Sequence, residues 1–419
     1  MKRFYYILSI VLLFHAFYNK SYGQVVLKPG TDSATTLYDS LNIYPASVTD
    51  VNYVNSKRKI VSVKTSLELL AEAKIKKDLQ AQANALLHLG DTYIAYGNHR
   101  KAYAYLVRAL KMKDAFNDDI TIAHLYYNLA IVLSRLKQYA DAVKCFYKTG
   151  FLYQQTAFKK KRKQIFAVDT GTITHATEIY VNNVMDEETA SSNFSDSLID
   201  ASVLNRDTAQ IINNPVLEES PYMDYNEMID AFYDDKPAFA YAVLIHVKQP
   251  TPGKANVFAQ LSKVGHTFIT LLKFNNDNSV LSKTFGFYPS KDNILSGTPI
   301  IPFTNSQIKN DSLHDWDELI GKFISVKSFI AILNFVSEAG DKHYDLNYNN
   351  CTDFGLKIAS IANITIADTK SRWPLGRGNN PAATGQSILR GKFKNADTQN
   401  QHGLFACSNN LFIHRAASK

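Results

Sequence analysis

The arrangement of apolar and polar residues changes once along the chain. From Thr65 to about residue 164, apolar residues recur at the three- and four-residue spacing of helices. From Ala238 onward they form continuous runs such as AFAYAVLIHV, and VGHTFITLLKF from Val264, which are typical of buried strands. The sequence NNDN at 275–278 indicates a turn into a third strand, SVLSKTFGFYP. We therefore predict a multi-domain chain, with an all-α region followed by an α+β region built on an antiparallel sheet.

Two segments of the helical region match each other. Residues 83–113 and 123–151 align at an offset of 40 residues, with small residues against small ones and large against large. The matched pairs include Gly90 with Ala130, Ala102 with Ala142, and Leu106 with Phe146. This recurrence resembles the tetratricopeptide family, whose helix-turn-helix repeats are about 34 residues long. The resemblance implies a small solenoid that either binds a protein or peptide partner or serves only as a spacer or packing platform.

The second half of the chain also carries loop and helix signals. Residues 289–315 contain several prolines and are predicted to form a loop or small insertion. KFISV, starting at Lys322, is predicted to be a short strand. Helix starts are predicted after Ser328 as the N-cap, at Cys351 after Asn349 and Asn350, and at Pro381 after a Gly-rich loop and Asn380.

Changes in composition divide the chain into six predicted segments. Polar, aperiodic stretches, such as the one rich in Asp, Glu and Ser after residue 164, separate the periodic ones. The segments are a signal peptide at 1–23, an extended lead-in at 24–60, helical repeats at 61–164, a polar linker at 165–235, an α+β domain at 236–395 and a C-terminal tail at 396–419. Short helices are predicted within the linker near Ser197 and Met223.

The N-terminal segment has the pattern of a secretory signal. Lys2 and Arg3 precede an apolar core at residues 4–17, and small residues stand before Gln24. The apolar run is shorter than a typical membrane-spanning helix, although an uncleaved anchor is the alternative. We expect an exported protein, periplasmic or secreted, with no integral membrane segment after signal removal. The formal net charge is +8, and removal of Lys2, Arg3 and Lys20 with the signal would leave a mildly basic chain of about +5, which does not call for a nucleic-acid partner.

The cysteine content does not indicate a disulfide framework. The chain has 3 cysteines, an odd and sparse number for an exported protein. Cys145 lies on the apolar face of a predicted helix, where a small core residue is expected. A bridge between Cys351 and Cys407 is the alternative to a free thiol at Cys351. No spacing of His, Cys and Asp suggests a metal site, and no phosphate loop or dinucleotide fingerprint occurs, so we expect neither a metal nor a cofactor.

Cys351 has the features of a nucleophilic thiol. Its place at a predicted helix start, after Asn350, exposes the thiol to free N–H groups and to the helix dipole, which favour a thiolate. His266, on a predicted strand, is the candidate base. The alternatives are an inert buried thiol for Cys351 and a hydrogen-bonded strand histidine for His266.

The order of these motifs resembles a known family. A strand containing Gly265, His266, Thr267 and Phe268, a following strand ending in GFYP, and a helix that starts at Asn-Cys are similar to circularly permuted papain-like proteins. These are the NlpC-type hydrolases and the lecithin–retinol acyltransferase-like enzymes, which carry the nucleophile in an N-C-[ED]-x-F helix. Here the acid, Asp353, falls one position later than in that pattern.

The resemblance implies a nucleophile at Cys351 and a general base at His266. Family members place a polar residue on the strand after the histidine, and here Ser282, Thr284 and Tyr288 are available, with a backbone carbonyl as another option. Asp353 is alternatively a first-turn acid that only stabilises the helix. The supporting candidates are therefore Asn350, Asp353, Thr284 and Tyr288, and the Cys351 N–H is expected to hold an oxyanion.

These features predict an exported thiol-dependent hydrolase or acyltransferase that acts on an amide or ester. The export signal and the family resemblance suggest a cell-envelope peptide as the substrate. The alternative is a non-catalytic binding or scaffold protein whose helical repeats recruit a partner. A third option, acyl transfer on lipid, would require an apolar groove beside the thiol.

Overall fold

A computed structural model gives the fold of most of the chain. It describes residues 63–166, 199–200, 203–204, 220–257, 264–290, 293, 295–340, 342–373, 375–399 and 403–408, with side chains described up to residue 152 in the first of these ranges. The predicted signal peptide, the whole of the predicted lead-in and Ser197 lie outside the described residues. Among the described residues, no helix has both the length and the apolar character needed to cross a membrane.

The helical region consists of consecutive helices joined by short turns. These are α1 (Val63–Ile75), α2 (Leu79–Ala95), α3 (His99–Leu110), α4 (Asp119–Arg135) and α5 (Tyr139–Phe166). The side chains of Asp78, Asn98 and Asp118 each accept a backbone N–H at the start of a helix, which fixes where α2, α3 and α4 begin. Gly90 allows α2 and α3 to pack closely, since a Cβ there would lie 2.3 Å from a methyl carbon of Leu106. A helical N-terminal region followed by an α+β region is thus the observed layout.

The sheet-based region follows from residue 220. Its strands and helices are β1 (Tyr222–Met223), α6 (Tyr225–Asp230), β2 (Ala238–Lys248), β3 (His266–Asn275), β4 (Val280–Pro289), β5 (Phe303–Asn310), β6 (Glu318–Ile324), α7 (Val326–Ala339), β7 (His343–Asp345), α8 (Cys351–Ile361), β8 (Ile364–Ile366), β9 (Lys370–Trp373), β10 (Gly376–Asn379), α9 (Pro381–Leu389), β11 (Phe393–Asn395) and β12 (Phe405–Ser408). The main sheet has the order β1-β5-β4-β3-β2-β6-β12, with β7 paired to β5. All of these pairings are antiparallel.

The two faces of the main sheet are covered by different helices. Because successive residues of a strand point to opposite faces, Ala242 and Leu244 of β2 join the core of the helical region. Val243 and Ile245 instead pack with the apolar residues of α7, α8 and α9. The face toward the helical region extends to the edge strand, where the Phe405 ring stacks on Phe146 of α5 at 5.5 Å between centroids.

Three local predictions differ from the structure. Residues 289–315 are not only a loop, because β5 occupies part of that range, and its largely polar sequence FTNSQIKN gave no strand signal. The Gly-rich segment before Asn380 forms the β9–β10 hairpin, although glycine disfavours strands. The N-cap of α7 is Ser325 rather than Ser328, because the Ser325 side chain accepts the Ser328 N–H. By contrast, the helix starts at Cys351 and Pro381 are as predicted.

Part of the predicted linker packs on the helical region. Ile199 and Val203 are fully buried there. The Tyr103 hydroxyl donates to the Val203 carbonyl at 2.7 Å, and the Tyr126 hydroxyl donates to Asp200 at 2.5 Å. Near Met223, the predicted short helix corresponds to α6, which follows the two residues of β1.

Candidate functional site

A capping box fixes Cys351 at the start of α8. The Asn350 side-chain oxygen accepts the N–H groups of Thr352 and Asp353 at 2.8 and 3.1 Å. The Asp353 carboxylate in turn accepts the Asn350 N–H at 3.1 Å. The Asn350 amide also donates to the carbonyls of Leu346 and Asn379, both at 2.9 Å, which ties the helix start to two loops. The Cys351 N–H takes no part in this cap and instead lies within hydrogen-bonding reach of the Tyr344 hydroxyl.

Close packing of α8 on β3 brings the thiol to the histidine. A Cβ at Gly355 would lie 2.6 Å from a methyl carbon of Thr267, so only glycine permits this approach of helix and strand. The hydroxyls of Thr267 and Thr352 are 3.1 Å apart and join the two elements next to the thiol. Cys351 and His266 are the first residues of α8 and β3, and this packing places them together.

His266 is paired with a buried carboxylate. Its Nε2 lies 2.9 Å from Oδ2 of Asp311, which leaves Nδ1 as the ring nitrogen for Cys351. Gly286 makes room for this pair, because a Cβ there would lie 2.1 Å from Asp311 Oδ2 and 2.3 Å from His266 Nε2. Gly265 precedes His266 with a φ of +77°, a left-handed backbone that favours glycine.

Asp311 is held by hydrogen bonds to Ser220 and to two residues of β4. The Ser220 hydroxyl donates to Oδ1 at 2.5 Å, and the Tyr288 hydroxyl donates to the same oxygen at 2.7 Å. The Asp311 N–H donates to the Thr284 carbonyl at 3.0 Å. The Asp311 side chain is completely buried. The two hydrogen bonds to Oδ1 fix the orientation of the carboxylate, so that Oδ2 points at the histidine.

The charges of the site favour a thiolate paired with an imidazolium. Burial opposes the charged form of His266, but the charge and hydrogen bonds of Asp311 and Cys351 outweigh it and raise its pKa to about 10. Burial likewise opposes ionisation of Cys351, but the hydrogen bond and charge of His266 lower the thiol pKa below its ordinary value. The pKa of Asp311 is lowered against the effect of burial, chiefly by the charge of His266. The two shifts act in the same direction and favour transfer of the shared proton from the thiol to the imidazole.

The supporting candidates predicted from sequence take different places. Tyr288 bonds Asp311, and its ring centroid lies 4.3 Å from that of His266, so it is part of the site. Thr284 contacts the site through its carbonyl, while its hydroxyl bonds Thr270 at 2.8 Å. Asn350 and Asp353 form the capping box, and Asp353 also accepts from Asn379 at 2.6 Å. Ser282 is exposed on β4.

Sequence reasoning missed Asp311. The residue follows β5, in a range predicted to be a loop, and no spacing relates it to His266 or Cys351. Its one signal was an acidic residue at the end of a polar segment, which is common at turns. The sheet order β5-β4-β3 is what brings Asp311 to the start of β3, and that order is not written in any local pattern.

A small recess of about 30 Å³ opens beside the thiol. Its lining is mixed: the apolar members include Val264, Leu346, Trp373 and Pro381, and the polar members include Tyr344, Asn350, Asn379 and Asn380, together with Cys351 itself. A small group that reaches the thiol would thus meet both apolar and amide-bearing residues.

The two other cysteines lie elsewhere and carry free thiols, as does Cys351. Burial raises the pKa of Cys407, on the edge strand β12, to about 12. Burial also raises the pKa of Cys145, which lies inside α5. Neither thiol forms the alternative bridge that would silence Cys351.

Within the part of the chain that the structure describes, no cluster of three or more His, Cys, Asp or Glu residues could hold a metal ion. The described site is thus composed of a thiol, an imidazole and a carboxylate. No family model matches the chain, and no curated protein or solved structure matches it either.

Proposed function

We propose that the protein is a thiol-dependent hydrolase or acyltransferase of amides or esters, with Cys351 as nucleophile. The observation that carries the proposal is the His266 ring, held 2.9 Å from the buried Asp311 carboxylate and adjacent to a thiol at a helix start. An inert core cysteine needs no such partners, whereas a nucleophilic one requires a base and a group that orients the base.

The first half of the reaction forms an acyl-enzyme. The Cys351 thiolate attacks the substrate carbonyl carbon, and the resulting oxyanion accepts a hydrogen bond from the Cys351 N–H at the start of α8, in place of the Tyr344 hydroxyl. The imidazolium of His266 then gives its proton to the leaving amine or alcohol as the carbon–heteroatom bond breaks. Because the pKa of His266 is about 10, we expect acylation to decline as the pH rises through that value and the acid is lost.

The second half returns the enzyme to its starting state. Neutral His266 takes a proton from water, or from an acceptor alcohol or amine, while the oxygen or nitrogen attacks the thioester carbon. The C–S bond breaks, the thiolate leaves, and its negative charge is again balanced by the imidazolium. Asp311 orients the ring throughout and stabilises its positive charge, as an orienting acid does in a catalytic triad.

The proposed function includes the finer architecture suggested by sequence. The helical region is proposed to consist of tetratricopeptide-like repeats and the sheet-based region to be a permuted papain-like domain. We also propose an exported location, a cell-envelope peptide as substrate and a protein partner for the repeats. These three proposals rest on the signal pattern and on the two family resemblances. The mixed lining of the recess, with both apolar and amide-bearing residues, supports a peptide-like substrate.

Acyl-enzyme trapping tests the proposal. The mature protein is incubated with p-nitrophenyl acetate, and peptide mass mapping locates the acetyl group. We expect acetylation of Cys351, followed by its loss as the thioester turns over, and neither in Cys351→Ala. Cys145→Ala serves as the matched control and should acetylate as the parent does. A parent protein that gains no acetyl group at Cys351 would contradict the hydrolase and favour the scaffold alternative.

A further inference from the structure

The segment that carries Asp311 bridges the two regions of the molecule. Residues 311–317, here called the Asp311 loop, connect β5 to β6. The loop is tied to the sheet at both ends, because the Asp311 N–H donates to Thr284 at 3.0 Å and the Asp317 N–H donates to Val247 at 2.8 Å. Within the loop, the His314 N–H donates to the Asp311 carbonyl at 2.9 Å. The middle of the loop is therefore linked directly to Asp311 through His314.

Two cationic side chains of the helical region, Arg135 and Lys137, bind the middle of the Asp311 loop. Arg135, the last residue of α4, donates to the carbonyl of Trp316 at 2.6 Å and to that of Asp317 at 3.1 Å. Its guanidinium also lies 3.5 Å from the centroid of the Trp316 ring. Lys137, in the turn after α4, donates to the Leu313 carbonyl and lies 3.8 Å from the Asp315 carboxylate. Hydrogen bonds from charged donors are the strong ones, and the five contacts of these two cations all involve residues 313–317.

The Asp311 loop lies on the same face of the sheet as His266, so contacts that hold the loop act next to the site. His266 shares a face of β3 with Phe268, and Phe268 belongs to the core of the helical region. The His314 ring of the loop covers both, with its centroid 5.2 Å from His266 and 5.1 Å from Phe268. The His266–Asp311 pair thus lies on the sheet face that the helical region covers, while Cys351 approaches from α8 on the other face.

The hydrogen bond between His266 and Asp311 tolerates only small displacements of either side chain. The bond between His266 Nε2 and Asp311 Oδ2 is 2.9 Å long, and hydrogen bonds weaken steeply when a donor or acceptor moves by a few tenths of an ångström or rotates out of line. Ser220 and Tyr288 orient the carboxylate, but they do not fix the loop that follows it. The two cations supply that support from a different region of the chain.

We propose that Arg135 and Lys137 are positioning residues, through which the helical region holds Asp311 against His266 and so keeps Cys351 reactive. This inference rests on the proposed function of the Cys351 site. It makes the helical region a structural component of the site, so that any ligand that bends the end of α4 would also change the reactivity of the thiol.

The test is the pH dependence of Cys351 alkylation by iodoacetamide in the full chain, followed by mass mapping of the Cys351 peptide. We expect Arg135→Met to lower the rate at pH 6.5 by about tenfold, which corresponds to a rise of about one unit in the apparent pKa of the thiol. Lys137→Met, which removes one bond and one ion pair, should lower that rate by about threefold. Arg135→Lys keeps the charge without the two planar donors, so its rate should lie between those of the parent and Arg135→Met.

Lys144→Met is the matched control. Lys144 is also a buried lysine of the helical region that faces the sheet, but its ammonium lies 5.9 Å from the Phe274 ring, at the opposite end of β3 from His266. This variant should lose stability without a change in the pH profile of Cys351. Thermal unfolding of each variant separates a loss of stability from a change at the site.

The outcomes distinguish the two proposals. If the parent thiol titrates like a free cysteine, the proposed function itself fails. If the parent shows a lowered pKa that His266→Ala removes but Arg135→Met and Lys137→Met leave in place, the proposed function stands and the positioning role is overturned. Should Arg135→Met fail to fold, Lys137→Met decides, because the Lys137 side chain is 16% exposed and sits in a turn.

Discussion

The helical region and the sheet-based region each bury a cysteine in a helix, and the two thiols differ in ionisation. Cys145 lies inside α5, where burial raises its pKa. Cys351 opens α8 and is also buried, but His266 lowers its pKa. Burial alone therefore produces a silent thiol. A reactive one needs a helix start and a charged partner that together outweigh the cost of desolvation.

The two regions also each contain a pair of histidine and aspartate. In the helical region, His124 Nε2 lies 3.2 Å from Asp91, and the Asn128 amide lies 3.0 Å from the same ring nitrogen. In the sheet-based region, the His266 ring contacts Asp311 through Nε2 and Cys351 on its other side. A histidine–aspartate pair is thus a polar contact between helices in the helical region, whereas in the sheet-based region such a pair is part of a candidate active site. The neighbouring thiol makes the difference.

The largest effect is expected from His266→Ala. Removing the imidazole returns the Cys351 thiol to at least its ordinary pKa, so its alkylation rate at pH 6.5 should fall on the order of a hundredfold. His124→Ala is the matched control from the helical region and should leave that rate unchanged. Iodoacetamide labelling with mass mapping measures both. Equal rates in the parent and in His266→Ala would refute the thiolate–imidazolium pair.

A smaller effect is expected from Asp311→Asn. The carboxamide can still accept a hydrogen bond from His266, but it lacks the charge that raises the pKa of the imidazole. The rate of Cys351 alkylation at pH 6.5 should fall by about tenfold. Asp91→Asn provides the control in the other pair. An Asp311→Asn protein that labels as fast as the parent would reduce Asp311 to a structural residue.

Two glycine substitutions sharpen the comparison further. Gly286→Ala places a methyl group between His266 and Asp311 and should push the two side chains apart. If the apparent pKa of the Cys351 thiol then rises by somewhat less than one unit, its alkylation should slow by roughly a factor of five. Gly90→Ala places a methyl group against Leu106 and should cost about 1–3 kcal/mol of unfolding free energy without changing that rate. Chemical denaturation and labelling read out the two effects. Slow labelling in Gly90→Ala would mean that packing damage alone accounts for the result in Gly286→Ala.

The smallest effect on the site is expected from Cys145→Ser. A hydroxyl in the fully buried Cys145 position should lower the unfolding free energy by about 1–3 kcal/mol, unless it finds an acceptor in α5. The labelling rate of Cys351 should stay within about twofold of the parent, because we expect the pKa of its thiol to change by less than about half a unit. A large change there would couple the two thiols in a way that the structure does not explain.

Local signals were sufficient for the two residues at the centre of the site. Asn350 is a good N-cap, so the start of α8 at Cys351 could be read from the sequence, and the apolar run after Gly265 placed His266 on a strand. These features depend on near neighbours in the chain. The same reasoning predicted the change from helices to an antiparallel sheet, although the main sheet already includes β1 (Tyr222–Met223), before Ala238.

The rest of the site depends on contacts between distant segments. Asp311 reaches His266 because β4 pairs with both β3 and β5, and β5 is too polar to be recognised as a strand. Arg135 reaches the Asp311 loop across the boundary between the two regions, from 181 residues earlier in the chain. No periodicity or spacing encodes such pairings, which is why the acid and its supports were not predicted.

The most direct test of the central claim is a pH titration of alkylation in the unmodified protein, with Cys145, Cys351 and Cys407 followed separately by mass mapping. Our account predicts that the alkylation rate of Cys351 levels off at a lower pH than that of a free thiol, while the other two thiols stay unreactive because burial raises their pKa values. A rate at Cys351 that rises tenfold per pH unit up to about 8.5, as for a free thiol, would contradict it.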